Sequence, residues 1–216
     1  SAPPEDPETA RAVEALRPQL ARLWVKQTVG QFKAVKASAA ELRGRIEALG
    51  YAPTLAEILN LEGAAANELG EYKVAEDLLI RSAAVADGAG DDNRRVSAQI
   101  GLVRVVGLHQ ARYEEGLRFA ELTRGTLTRL SDARNHESLL EGGLGAIALQ
   151  RGEFAGAERH IARSIEIVRQ MEGETSSDFA TAVIARGTLH FFRGELAEAL
   201  VDYRQAMTIY EELYGA

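Results

Sequence analysis

Apolar residues recur along this chain at helical spacing, and the stretch from Leu59 to Leu79, LNLEGAAANELGEYKVAEDLL, carries the pattern most clearly. It predicts two amphipathic helices meeting at a tight turn, Leu69-Gly70-Glu71. Gly70 suits the positive φ that ends many helices. Gly63 leaves room for the second helix to come close. Tyr72 and Ala75 then open that helix, one a large ring that fills the gap and one a small residue that permits contact. A helix pair of this kind cannot bury its own apolar face and requires neighbours.

The neighbours are supplied by repetition. Turn markers stand at Gly30, Gly70, Ala111, Gly152 and Gly194, at intervals of 40, 41, 41 and 42 residues. Two residues beyond each marker lie Phe32, Tyr72, Tyr113, Phe154 and Leu196, and five beyond lie Val35, Ala75, Gly116, Ala157 and Ala199. Seven before lie Leu23, Gly63, Arg104, Gly145 and Gly187. Three offsets held in register over five copies define a repeat protein. The expected helix pairs run over 18–29 with 31–49, 53–69 with 71–87, 93–109 with 112–130, 134–151 with 153–171, and 177–193 with 195–214.

Local signals support these starts: a Thr54-x-x-Glu57 capping box, Asp91-Asp92-Asn93, and Thr175 to Asp178. Residues 1–6 read as a disordered lead-in. Pro7 suits a first helical position, and Pro18 is expected to kink that helix or begin a new one.

G-x-Y-x-x-A after an earlier glycine, with small residues in both helices, resembles the tetratricopeptide repeat (TPR) over about residues 18–214. Repeats two (Gly63, Gly70, Tyr72, Ala75) and four (Gly145, Gly152, Phe154, Ala157) fit best. Repeat one lacks the early glycine, and repeat three has Arg104 there and Ala111 at the turn. That repeat is usually about 34 residues long, so this longer period is similar to the variant in kinesin light chains and many bacterial signalling proteins. The chain also resembles, on phrases such as Arg112 to Leu117, the repeat region that follows the catalytic domain of some bacterial serine/threonine kinases. The resemblance implies an all-α, right-handed α-solenoid of five TPR-like repeats (about 18–50, 53–88, 92–131, 133–172 and 175–214) in one array over 7–216.

It also implies that the first helix of each pair lines a concave groove. Ten, six and three residues before the turn markers stand Leu20, Asn60, Gly101, Gly142 and Ile184; Trp24, Ala64, Val105, Ala146 and Thr188; and Gln27, Asn67, Leu108, Leu149 and Phe191. The expected groove comprises Trp24, Asn60, Ala64, Asn67, Gly101, Val105, Gly142, Ala146 and Phe191. Such a floor suits an extended peptide or a helix with apolar anchors. Asn60 and Asn67 can each offer a donor and an acceptor to ligand main chain. The basic clamp that chaperone-binding members use is not evident, because Leu20, Trp24 and Asn60 occupy that neighbourhood.

Composition narrows the partner. A net charge of −7 argues against nucleic acid, and no apolar run approaches the length of a membrane span. The absence of cysteine excludes a disulfide framework and fits a reducing, cytoplasmic setting. One window is basic: Arg17, Arg22, Lys26, Lys33, Lys36, Arg43 and Arg45 face only Glu41. It reads as a solvated first repeat or as a docking patch for an acidic partner.

Catalytic and metal signatures, and any cofactor motif, are missing. His109, His136, His160 and His190 lack ligand spacing; His136-Glu137 reads as a solvated surface pair and His190 as a packed or hydrogen-bonded histidine. Gly142-Gly143-Leu144-Gly145 falls inside a helix with no strand before it and reads as close packing. The expectation is a non-enzymatic protein-binding scaffold within a larger signalling protein. The last helix carries Leu200, Tyr203, Met207, Tyr210 and Leu213 with no polar cap. Either the chain, which starts without Met, is part of a longer protein, or that face pairs with another molecule, as in a homodimer through this helix.

Overall fold

The computed structural model describes Pro4 and residues 6–215. Ten α-helices follow one another among them: α1 (Pro7–Thr28), α2 (Phe32–Leu49), α3 (Ala52–Glu68), α4 (Tyr72–Gly88), α5 (Asp92–Leu102), α6 (Tyr113–Leu127), α7 (Arg134–Gln150), α8 (Phe154–Glu172), α9 (Ser177–Arg193) and α10 (Leu196–Tyr214). A π-helical segment, Val103–His109, extends α5. The described residues are all-α and form sequential helix-turn-helix pairs of the solenoid type. The chain divides into two compact units between Leu130 and Ser131, the first holding α1–α6 and the second α7–α10.

Four of the five turns share one closure. The residue after the marker donates its N–H to the carbonyl five residues back: Gln31 to Lys26, Glu71 to Ala66, Glu153 to Ala148 and Glu195 to His190, each at 2.9 Å. This satisfies a helix-end carbonyl and requires a left-handed residue at the marker, which Gly70 supplies at φ +75°. Repeat three differs. Arg112 reaches back six residues to the Val106 carbonyl (3.0 Å), and Ala111 takes φ +54°.

Small residues set the helix spacing inside each pair. A Cβ at Gly63 would stand 3.0 Å from Leu79 Cγ, one at Gly145 2.9 Å from Ile161 Cγ1, and one at Gly187 2.9 Å from the Tyr203 ring. Of the glycine cluster in α7, Gly145 therefore packs helices, whereas a Cβ at Gly142 would meet only the Ser164 hydroxyl at an ordinary 3.8 Å. In repeat three the contact is made instead by Gly107 and Gly116, whose added Cβ would lie 2.4 Å from the Gly107 Cα.

The first unit is built around Leu20, Ile46, Ile58 and Leu61 at one end and Leu79, Leu102 and Val106 at the other. The second is built around Ile161, Val168, Phe179, Val183 and Leu189. Removing such side chains from water is the main favourable term holding each stack together.

Several local readings change. Pro18 does not begin a new helix: α1 runs unbroken through it. The proline ring is exposed and buried Leu16 and Leu20 pin the helix on both sides, so the lost hydrogen bond is borne at the solvent face. The lead-in expected over 1–6 lies for the most part outside the described residues; Asp6 caps α1 by accepting from Thr9 N–H (2.7 Å). The Thr54/Glu57 capping box does not form. Tyr51 precedes α3 without a side-chain cap, and Glu57 is drawn into ion pairing across helices. Asp91 and Ser176 do cap α5 and α9.

Candidate functional site

In the first unit α3 is packed against α1, α2, α4 and α5, so only one stripe of it remains accessible. That stripe is Glu57, Asn60, Ala64 and Asn67-Glu68, at successive three- and four-residue steps. The matching stripe on the helix of repeat three is Ser97, Gly101, Arg104 and Leu108-His109. Trp24 lies beside them on α1, 43% exposed. Glu57 ties the three helices together: it accepts from the Trp24 indole N–H (3.1 Å) and from Arg94 (2.6 Å), and Arg94 also grips Asp91 (2.8 Å). The stripes thus form one face, with the tryptophan held in place at its edge.

Trp24, Asn60, Ala64, Asn67 and Gly101 stand on this face with Arg104. Val105 does not. It is 1% exposed and packs with Leu79 and Val106 in the core. The π-helical segment holds one residue more than an α-helical turn would; Val105 turns inward and Arg104 comes out in its place. Sequence reasoning missed Arg104 as an accessible residue, although an arginine where other repeats carry glycine was the available signal.

Polar satisfaction singles out Asn67. Its Nδ2 donates to Glu68 (3.0 Å), while Oδ1 is buried with no hydrogen-bond partner. Gln27, at the same offset one repeat earlier, likewise has an unpartnered, buried Oε1. A buried acceptor left unpaired costs about 1–3 kcal/mol. Nearby, burial and the Arg104 charge hold the His109 imidazole below its ordinary pKa, and its ring stacks on Tyr72 at 5.0 Å.

In the second unit α7 and α9 present Leu139, Gly142, Ala146 and Leu149, and Ile184, Thr188 and Phe191. Gly142 and Ala146 are partly accessible, and Phe191 is 54% exposed and edge-on to Phe192. The stripe is more apolar than that of the first unit.

The histidines and part of the basic window make contacts within the fold. His190 Nδ1 pairs with Glu195 (2.6 Å) and His160 Nδ1 with Glu141 (2.6 Å). His136 is half-buried rather than solvated, and burial lowers its pKa. In the basic window Lys36 pairs with Glu71, Arg43 with Glu62 (2.9 Å), Arg17 with Glu14 (2.6 Å), and Arg45 with Gln19 (3.3 Å). Among the described residues no three His, Cys, Asp or Glu side chains cluster as metal ligands, and no helix is long and apolar enough to cross a membrane.

Helical hairpins stacked in register, with small residues at their crossings and an accessible stripe on each first helix, define a TPR-like helical repeat protein. Residues 135–212 match the tetratricopeptide repeat family. A search of curated protein sequences found no match. Among solved structures, BtubC (BKLC) from P. vanneervenii aligns over 97% of this chain and 88% of its own, with 17% identity and a TM-score of 0.69. A candidate kinesin light chain from Podosopora anserina with nearly identical TPR-like repeats aligns, in a point-substituted form, over 94% of this chain and 97% of its own, with 14% identity and a TM-score of 0.62. A second structure of that repeat protein aligns at 15% identity and a TM-score of 0.58, over 94% and 98%. At these identities the likeness is one of fold: the repeats resemble those of kinesin light chains.

Proposed function

We propose that this chain is a non-enzymatic interaction module whose first-helix faces bind a peptide or protein segment. Trp24, Asn60, Ala64, Asn67, Gly101 and Arg104 form the principal site, and Gly142, Ala146 and Phe191 offer a second, more apolar one. The observation that carries this reading is the buried, unpartnered Oδ1 of Asn67 on an accessible stripe. A turn of the half-buried Asn67 side chain toward the face would present this acceptor to a ligand main-chain N–H, which would satisfy it as buried acceptors require. Ala64 and Gly101 let a backbone approach, and Trp24 and Phe191 supply apolar contact. The resemblance to kinase-associated repeats favours a setting inside a larger cytoplasmic bacterial signalling protein.

The test is selection of a displayed random-peptide library on the parent chain and on an Ala64→Arg, Asn67→Arg variant whose helicity is checked by circular dichroism. Peptides enriched by the parent and lost by the folded variant support the reading. Peptides retained equally by both, or no enrichment at all, contradict it.

A further inference from the structure

One position of the repeat is filled differently in the third hairpin. Seven residues before the turn marker, Gly63, Gly145 and Gly187 sit against the second helix of their own hairpin, where a Cβ would stand 2.9 to 3.0 Å from a side chain of that helix. Arg104 holds that position in the third hairpin. A guanidinium has no room in such a crossing, and the π-helical segment turns it out: Arg104 is exposed and Val105 is buried in its place. The crossing passes to Gly107 and Gly116, and the turn closes over six residues with Ala111 left-handed. Arg104 therefore reaches solvent through a change of helical register, of the kind often met at functional sites.

It arrives there without a partner. Five other arginines of this unit grip carboxylates: Arg43 holds Glu62 (2.9 Å), Arg81 Glu47 (2.8 Å), Arg94 Glu57 (2.6 Å), Arg112 Glu76 (2.9 Å) and Arg129 Asp92 (2.6 Å). Among the described residues Arg104 makes no hydrogen bond or ion pair. Glu68 on α3, whose charge acts on His109 in the opposite sense to that of Arg104, accepts from Asn67 Nδ2 (3.0 Å) and lies beyond ion-pair distance of Arg104. Gly101, one turn earlier, and Ala64, on the adjacent α3, raise no long side chain over the face. Because burial and Arg104 itself hold the His109 imidazole below its ordinary pKa, Arg104 is the only cation on the two stripes at neutral pH.

We propose that Arg104 selects the charge of the segment bound on this face, by pairing with one aspartate or glutamate side chain of that segment. The inference rests on the reading of the face as a peptide site. A planar guanidinium takes a carboxylate through two parallel N–H···O bonds, stronger than hydrogen bonds between neutral groups. One arginine standing alone suits a singly charged side chain. Phosphorylated groups are taken by clusters of arginines, and chain-terminal carboxylates by nests of free backbone N–H groups. Neither arrangement occurs on the two stripes, which carry no second arginine and are flanks of helices whose N–H groups are bonded internally. Glu68 repels a second acid near Asn67, so the preference falls on one position of the segment rather than on overall negative charge.

Random-peptide libraries are selected on the parent, on Arg104→Gln and on Arg104→Glu, with helicity checked by circular dichroism. The parent is expected to enrich peptides with an acid at one fixed position, Arg104→Gln to lose that preference, and Arg104→Glu to enrich a lysine or arginine there. For one selected peptide, replacing the acid by its amide is expected to weaken binding to the parent roughly tenfold or more in calorimetry and to leave binding to Arg104→Gln unchanged. Amidating the peptide's C-terminus should change neither. The exchange of acid for amide needs no variant, and an unchanged affinity for the parent overturns the proposal by itself. Enriched peptides without an acid preference, or a preference that survives in folded Arg104→Gln, overturn this proposal alone; their loss in folded Asn67→Arg then still supports the face as the site. Loss of binding on C-terminal amidation overturns it in favour of a terminal carboxylate. No enrichment on the parent overturns the reading of the face as well.

Discussion

Ala111 holds a left-handed backbone, φ +54°, at the one turn marker that is not glycine. An L side chain in that region is crowded against its own carbonyl, at a cost of roughly 1–2 kcal/mol, which glycine avoids. Ala111→Gly should therefore raise stability by about 1 kcal/mol once glycine's larger unfolded-state entropy is subtracted. Chemical denaturation with an unchanged m-value is the check; an unchanged or lower midpoint would show the turn to be unstrained. The markers themselves were readable, since glycine is the residue a left-handed helix end needs. What single residues concealed was polar destination. Thr54 and Glu57 have the spacing of a cap, yet Glu57 ends on Trp24 and Arg94, partners 33 and 37 residues away. No local pattern encodes such a choice.

Between elements, the junction of the second and third hairpins rests on buried Glu76. Burial works to raise its carboxyl pKa, but hydrogen bonds from Arg112 and Gln110 outweigh that and hold it below the ordinary value. A folded pKa below the unfolded one means the unfolded chain takes up protons first on acidification. The stabilisation is therefore full above the ordinary carboxylate pKa and is lost as pH falls through the lowered one. Glu76→Gln should cost about 1.5–3 kcal/mol at neutral pH, and the gap to the parent should close in acid. Urea unfolding across that range decides it, and a gap independent of pH would contradict the assignment. Glu62 runs the opposite way. Burial raises its pKa despite Arg43, so its contribution weakens as pH rises through the raised value. Helix existence and pairing followed from periodicity, but the π-helical segment did not. The 41-residue interval from Gly70 to Ala111 matches its neighbours and hides the register change that buries Val105 and exposes Arg104.

Over the whole chain, each unit stacks hairpins that touch mainly their immediate neighbours, the usual logic of repeat proteins. Surface left over from that stacking is where ligands are met, and fold alone names none of them. The candidate face in the first unit was legible in outline because a fixed offset from a turn lands on a fixed side of a helix. Its unsatisfied Asn67 oxygen was not, because satisfaction depends on neighbours the sequence does not place. The most direct measurement uses Trp24, the only tryptophan in the chain, which stands at the edge of that face. A library-selected peptide is titrated into the parent chain and into Asn67→Arg while Trp24 emission is followed. A saturable spectral change with the parent and none with the folded variant is the expected result. Peptide binding, confirmed by calorimetry, that leaves Trp24 emission untouched and survives Asn67→Arg would place recognition elsewhere and contradict the account.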